Sequence, residues 1–289
     1  MMPIVYYLLI RPLSFLPAPV LYFISTLTYF LVYRAVGYRK KVVFSNLKNA
    51  FPDKSDMEIE RIARLFYRHL CDLIVESIMM FQMSEAEAIK RFKVANPQLL
   101  DNYFQQGKSV VIVSAHYNNW EYAALSPEPQ LLHKVIGIYT PLKNKFMDNK
   151  IKESRQRFGS IFLAKKAVKK YFAENKDKLI APLFAADQSP GNPDNAYWTK
   201  FLNQDTAVVF GPEKFARIYN YPVVFAYIKK VKRGYYEATV ELIDENPAEA
   251  EHGEITEKHT RLLEKEILEQ PEYWLWSHRR WKHKKPENS

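Results

Sequence analysis

Residues 108–121 read KSVVIVSAHYNNWE, and they place His116 and Glu121 in an H-x4-E spacing directly after a short apolar run at 110–113. An imidazole at the end of a buried strand, with a carboxylate in the next turn, has the makings of a general base and its orienting partner. Such a pair can accept a proton as a reaction proceeds. The spacing alone carries little. His252 and Glu257 match it, as do His259 and Glu264. With 7 histidines in 289 residues, roughly one such match is expected by chance. Those two decoys lie in AEAEHGEITEKHTRLLEKE, a polar helical stretch expected to be solvated. Only His116 follows a strand-like run. Residues five apart on one continuous helix point about 140° away from each other. His116 must therefore precede the helix that carries Glu121. Asn118 and Asn119 are N-cap candidates for a helix over 120–125. The plainer alternative is a packed histidine at a strand end and a glutamate complementing the helix dipole.

The surrounding pattern supplies the strand. A long amphipathic helix capped near Asp53, Ser55 and Asp56 runs towards Met83, with shorter helices at 85–92 and 96–106. Strands at 109–115, 134–139, 160–164 and 179–186 then alternate with helices at 120–125, 145–158 and 165–175. Alternation of this kind predicts an α/β fold with a mainly parallel central sheet flanked by helices. A helix at 212–219 leads into an antiparallel hairpin turning at Arg233-Gly234. A charged helix at 254–269 precedes PEYWLWSHRRWKHKK.

Composition narrows the chemistry. At 47% hydrophobic and 15% aromatic, the chain can build one sizeable α/β domain. It has no GxGxxG and no Walker A motif, which argues against a nucleotide cofactor. Cys71 is the single cysteine, in an amphipathic helical pattern, and reads as core. The net charge of +10 implies an anionic partner. It is dispersed in clusters such as Arg39-Lys40-Lys41 and Lys229-Lys230. No zinc-finger or RNA-binding signature accompanies them, so nucleic acid is not expected as a partner.

Residues 12–33 carry no charge, about the length needed to cross a bilayer. Pro12, Pro17 and Pro19 interrupt the stretch, so a surface-embedded hairpin is the alternative to a span. Arg34, Arg39, Lys40, Lys41 and Lys48 follow it, against Arg11 before it. That asymmetry places the bulk of the chain in the cytoplasm. We expect residues 1–38 to form a membrane anchor and 39–289 a catalytic domain. The competing expectation is a buried core helix.

Six blocks, in order, resemble the bacterial late lipid A biosynthesis acyltransferases, within the lysophospholipid-acyltransferase-like superfamily. They are RKKVVFSNLKNAFPDKS (39–55), HYNNWE (116–121), YTPLKNKFMDNKIKESRQRFG (139–159), AADQSPG (185–191) with FLNQDTAVVFGPEKFAR (201–217), YNYPVVFAYI (219–228) and PEYWLWSHRRWK (271–282). Two positions depart from the family pattern. Thr140 stands where an arginine is usual, and Phe210-Gly211 where Thr-Gly is usual. Both bear on the acceptor more than on the reaction.

The resemblance implies transfer of an acyl chain from a thioester to a lipid hydroxyl. There is no resident cofactor; an acyl-carrier-protein or coenzyme A thioester is the co-substrate. It implies His116 as base, Glu121 as the group holding its tautomer, and Arg155, with Arg157 as alternative, as oxyanion donor. Asn118, Trp120, Tyr139, Asn144, Asp187 and Gln188 are expected around the substrates. Acidic acyl carrier protein, an anionic lipid acceptor and the membrane are the partners, at the cytoplasmic face of the bacterial inner membrane. Hydrolysis by the same pair, or transfer to a glycerolipid or aminoacyl lipid, stays open at this point. So does a non-catalytic membrane-associated protein of the same fold.

Overall fold

The computed structural model describes residues 2–175 and 177–286. Its centre is a seven-stranded sheet built from β1 (Phe92–Val94), β2 (Val111–Ser114), β3 (Lys134–Tyr139), β4 (Ile161–Ala164), β5 (Ile180–Ala185), β8 (Val223–Lys232) and β9 (Tyr235–Asp244). The strand order is β1-β9-β8-β2-β5-β3-β4. Only the β8–β9 hairpin pairs antiparallel, so the sheet is the mainly parallel one expected. A separate antiparallel hairpin is formed by β6 (Ala196–Phe201) and β7 (Gln204–Val209). The pattern reading had not placed it, nor β1, nor the helix Lys40–Ala50.

Strand β2 is buried along its whole length, which is why VIVS reads as an unbroken apolar run. β5 and β8 flank it on either side. The connection from β2 runs to β3 on one side and the return from β5 runs to β8 on the other, and loops beyond the carboxyl ends of strands where direction reverses form a crevice where ligands bind. The register matters most here: Ser114 of β2 stands opposite Ala185 of β5. Residues two beyond each strand end, 116 and 187, are therefore brought side by side.

The long helix Asp56–Met79 opens with a capping box: Ser55 accepts from the Glu58 amide and Glu58 accepts from that of Ser55. It packs under the sheet with Phe66, Tyr67 and Cys71 in the main core. Cys71 is fully buried, and that burial pushes its thiol up to about 12, consistent with a core role. The decoy histidines separate. His252 is exposed, whereas His259 is buried on the inner face of the Glu254–Glu269 helix and burial lowers it to about 4. The solvated reading of that helix thus fails for one face: Ile255, His259, Leu263 and Ile267 recur every four residues and all point inward.

At the N-terminus, Ala18–Val36 is one helix of 19 residues with mean hydropathy 1.3, long and apolar enough to cross a membrane. Only 22% of it is buried, which sets aside the core-helix alternative. Phe23, Leu27, Phe30 and Leu31 are exposed, as are Leu8 and Leu9 before it, an apolar face far larger than scattered surface residues make.

Gly137 on β3 makes room for the Phe162 ring: a Cβ there would lie 2.4 Å from Phe162 Cε1. Arg155 in turn sits over that ring, 5.5 Å from its centre. Gly137→Ala is expected to cost about 1–3 kcal/mol of stability through overpacking. Thermal unfolding in detergent, compared with wild type, checks it; an unchanged midpoint would contradict this packing account.

Candidate active site

His116 leaves the end of β2 with its side chain 21% exposed, at the mouth of the crevice. Its partner is Asp187, not Glu121. Asp187 Oδ1 accepts from the His116 backbone N–H at 3.0 Å and lies 2.7 Å from Nδ1. Asp187 Oδ2 accepts from the Trp274 indole N–H at 2.9 Å. The Asp187 side chain is 2% exposed. Burial pushes its carboxyl up, but the His116 charge, the two His116 hydrogen bonds and the Trp274 bond outweigh it and hold it at about 2. With an ionised carboxylate against Nδ1, the neutral ring must carry its proton there, leaving Nε2 as a base.

Glu121 does something else. Both its oxygens are taken by Arg155, which donates from Nε at 3.0 Å and from Nη2 at 2.8 Å. It stands in the first turn of the Trp120–Leu125 helix. That helix turns its side chain towards the helix Lys145–Arg155 and away from the imidazole. Where a His116–Glu121 pair was expected, the hydrogen bonds among the described residues join His116 to Asp187 and Glu121 to Arg155. Among the described residues Nη1 of Arg155 makes no hydrogen bond, so the guanidinium is a tethered cation with a donor to spare.

The turn between the two pairs is tightly specified. Asn118 has φ of 50°, in the left-handed region. Its Nδ2 donates to Ile228 O at 2.6 Å and its backbone N–H to Tyr273 O at 3.0 Å. Asn118, expected around the substrates, is wholly buried, and these two bonds make it part of the frame of the turn. Asn119 is the N-cap, accepting from the Tyr122 amide at 2.8 Å. Trp120 is half-buried and meets the His116 ring edge-on at 5.4 Å.

The remaining expected contacts divide. Asn144 caps the helix Lys145–Arg155, accepting from Met147 N–H at 3.0 Å. Tyr139 donates to Asp148 at 3.3 Å. Arg157 is withdrawn from the site: it donates to the carbonyls of Met80, Phe81 and Met83, beyond the last turn of the long helix, where a cation is favoured. Asp187, expected as a substrate contact, is sealed behind His116. Gln188 beside it is half-buried.

The block at 271–282 was recognised, but none of its residues was placed at the site. Trp274 and Trp276 are buried, and Tyr117 pairs with Trp274 in an isolated bridge. His278 accepts from Ser189 N–H at 3.1 Å, and burial lowers it to about 4. The aromatic density of WLWSHRRW was the available signal. An apolar cavity of about 170 Å³ opens beside Glu121, lined by Ile10, Ile78, Met80, Phe81, Met147 and Ile151 among others. Among the described residues, no group of three or more His, Cys, Asp or Glu side chains is placed to hold a metal ion.

A strand-end histidine oriented by a buried aspartate, with a tethered arginine and an apolar cavity beside it, defines an α/β site suited to acyl transfer. Residues 2–283 match the model of the bacterial lipid A biosynthesis acyltransferase family. The chain belongs to that family and is an O-acyltransferase. It is 26% identical over 274 residues to the lipid A biosynthesis palmitoleoyltransferase of Escherichia coli, covering 92% of this chain and 86% of that one. It is 23% identical over 268 residues to the lauroyltransferase of the same organism, with 92% and 87% covered. A Haemophilus influenzae lipid A biosynthesis acyltransferase is 24% identical over 264 residues, with 86% and 79% covered.

Asp187→Asn is expected to lower turnover about 10²–10⁴-fold, because an amide keeps only one acceptor oxygen and no longer fixes the tautomer. The stability contribution of Asp187 is full above its ordinary 3.8 and lost as pH falls through about 2. Acid titration of the variant should lack that step. A variant with wild-type turnover would contradict the assigned pair.

Proposed function

We propose that the chain transfers a fatty acyl group from a thioester donor to a hydroxyl of a lipid A-like glycolipid, at the cytoplasmic face of the bacterial inner membrane. The observation that carries this reading is the 2.7 Å contact of Asp187 with His116 Nδ1, which leaves Nε2 to accept the hydroxyl proton. The acceptor oxygen attacks the thioester carbonyl as its proton passes to Nε2. Asp187 stabilises the imidazolium that results. The tetrahedral oxyanion is met by Arg155, whose Nη1 hydrogens are its unused donors. Glu121 holds that guanidinium in place by its bidentate pair. The C–S bond then breaks, and the thiolate leaves with the proton returned by the imidazolium. No acyl-enzyme is required.

The rest of the chain fits these substrates. The apolar cavity beside Glu121, walled by Ile78 of the long helix and by Met80 and Phe81 just beyond its end, would take the acyl chain. The exposed apolar N-terminal helices would seat the chain in the bilayer, with the basic flank on the cytoplasmic side. The net charge of +10 favours an acidic carrier protein and a phosphorylated acceptor alike.

The test supplies purified chain in lipid with an acyl-carrier-protein thioester and a lipid A precursor, and follows products by mass spectrometry. The acceptor should gain one acyl group. His116→Ala should lose at least about 10²–10⁴-fold in rate. Free fatty acid as the sole product would favour hydrolysis, and near-normal turnover in His116→Ala would sink the proposal.

A further inference from the structure

Behind the active-site turn lies a second buried acid that the acyl-transfer chemistry does not use. Glu76, on the long helix Asp56–Met79, has no exposed surface. Its carboxylate accepts three hydrogen bonds, each from a different part of the chain. Tyr22 Oη, on the apolar helix Ala18–Phe30, donates at 2.9 Å. Tyr236 Oη, on β9, donates at 2.8 Å. Asn119 Nδ2 donates at 2.6 Å.

One helical turn earlier, Asp72 repeats the arrangement. It accepts from Ser25 Oγ of the same apolar helix at 2.7 Å and from Arg233 of the β8–β9 hairpin at 2.6 Å. Asp72 and Glu76, and likewise Ser25 and Tyr22, lie about one helical turn apart, and the two helices meet through a two-rung polar ladder. Apolar side chains of similar size would join the helices at least as stably as buried carboxylates do.

What distinguishes the Glu76 rung is Asn119. Its Oδ1 accepts from the Tyr122 amide while its Nδ2 reaches Glu76. One amide satisfies both only in one orientation. The residue before it is Asn118, held at φ of 50°; the two after it are Trp120, against the His116 ring, and Glu121, which holds Arg155. The seat of the apolar helix and the attitude of the active-site turn therefore share one carboxylate.

We propose that Glu76 is a positioning residue that couples docking of the N-terminal apolar helix to the orientation of the Asn119-capped turn, so that full turnover requires Tyr22 in its seat. The turnover arm rests on the acyl-transfer reading above; the exchange arm does not. In lipid nanodiscs carrying the full chain, Tyr22→Phe and Glu76→Gln are each expected to lower kcat about 2- to 30-fold, the range of coupling through packed networks, with KM for donor and acceptor unchanged. The double variant should be no slower than Glu76→Gln alone, since both remove one path. Hydrogen exchange reads the same coupling without turnover: the amides of Tyr122 and Ala123, which Asn119 holds, should exchange faster in both single variants. Wild-type kcat in Tyr22→Phe, losses that multiply in the double variant, or unchanged exchange would each overturn the proposal. His116→Ala, assayed alongside, separates the two readings. Inactivity there with wild-type exchange in Tyr22→Phe defeats the coupling alone, whereas retained activity there defeats the assigned base and leaves the exchange result to decide the coupling.

Discussion

Everything in the crevice depends on one buried carboxylate. Asp187 has lost nearly all contact with water, a costly state for an ion unless every lone pair is answered. Here the backbone and ring of His116 answer one oxygen and the Trp274 indole the other. The first pair of bonds fixes both the chain path and the ring of His116. The second draws the C-terminal tail over the sheet end, where Tyr117 and Asn118 are pinned to residues 273 and 274. Strand register delivers that carboxylate to His116, and histidine orientation and tail docking follow from it.

The fold was largely legible in the sequence. β3 and the helix Trp120–Leu125 fall where periodicity and capping placed them. The partner of His116 was not, because the clue in view was local and the true relation is not. H-x4-E draws the eye to Glu121, but the helix start carries that side chain to Arg155. Asp187 lies 71 residues on and meets His116 only because Ser114 and Ala185 are in register. Sheet-end position marked Asp187 as functional, though as a substrate contact. The β6–β7 hairpin was hidden for a different reason. Its turn uses Leu202 and Asn203, both at positive φ, where a turn signal normally shows Asn-Gly. His259 was hidden by charge: dense Glu and Lys mask the four-residue spacing of the buried face.

Two ion systems divide the labour around the turn. On the proposed mechanism one, Asp187 with His116, sets a proton acceptor, and the other, Glu121 with Arg155, holds a cation for the developing negative charge. Glu76 lies behind both, reaching through Tyr22 to the helix that carries the exposed apolar face. A site of this kind is assembled from rigid elements on three sides, and its loops have little freedom to misplace it.

The most direct measurement is the tautomer of His116. Nitrogen-15 NMR of the histidine-labelled chain in nanodiscs, above the pH at which the ring is charged, reports which ring nitrogen holds the proton. A proton on Nδ1, with Nε2 bare, is the result required by a carboxylate at Asp187 poised to make His116 a base. A proton on Nε2, with Nδ1 bare, would contradict it.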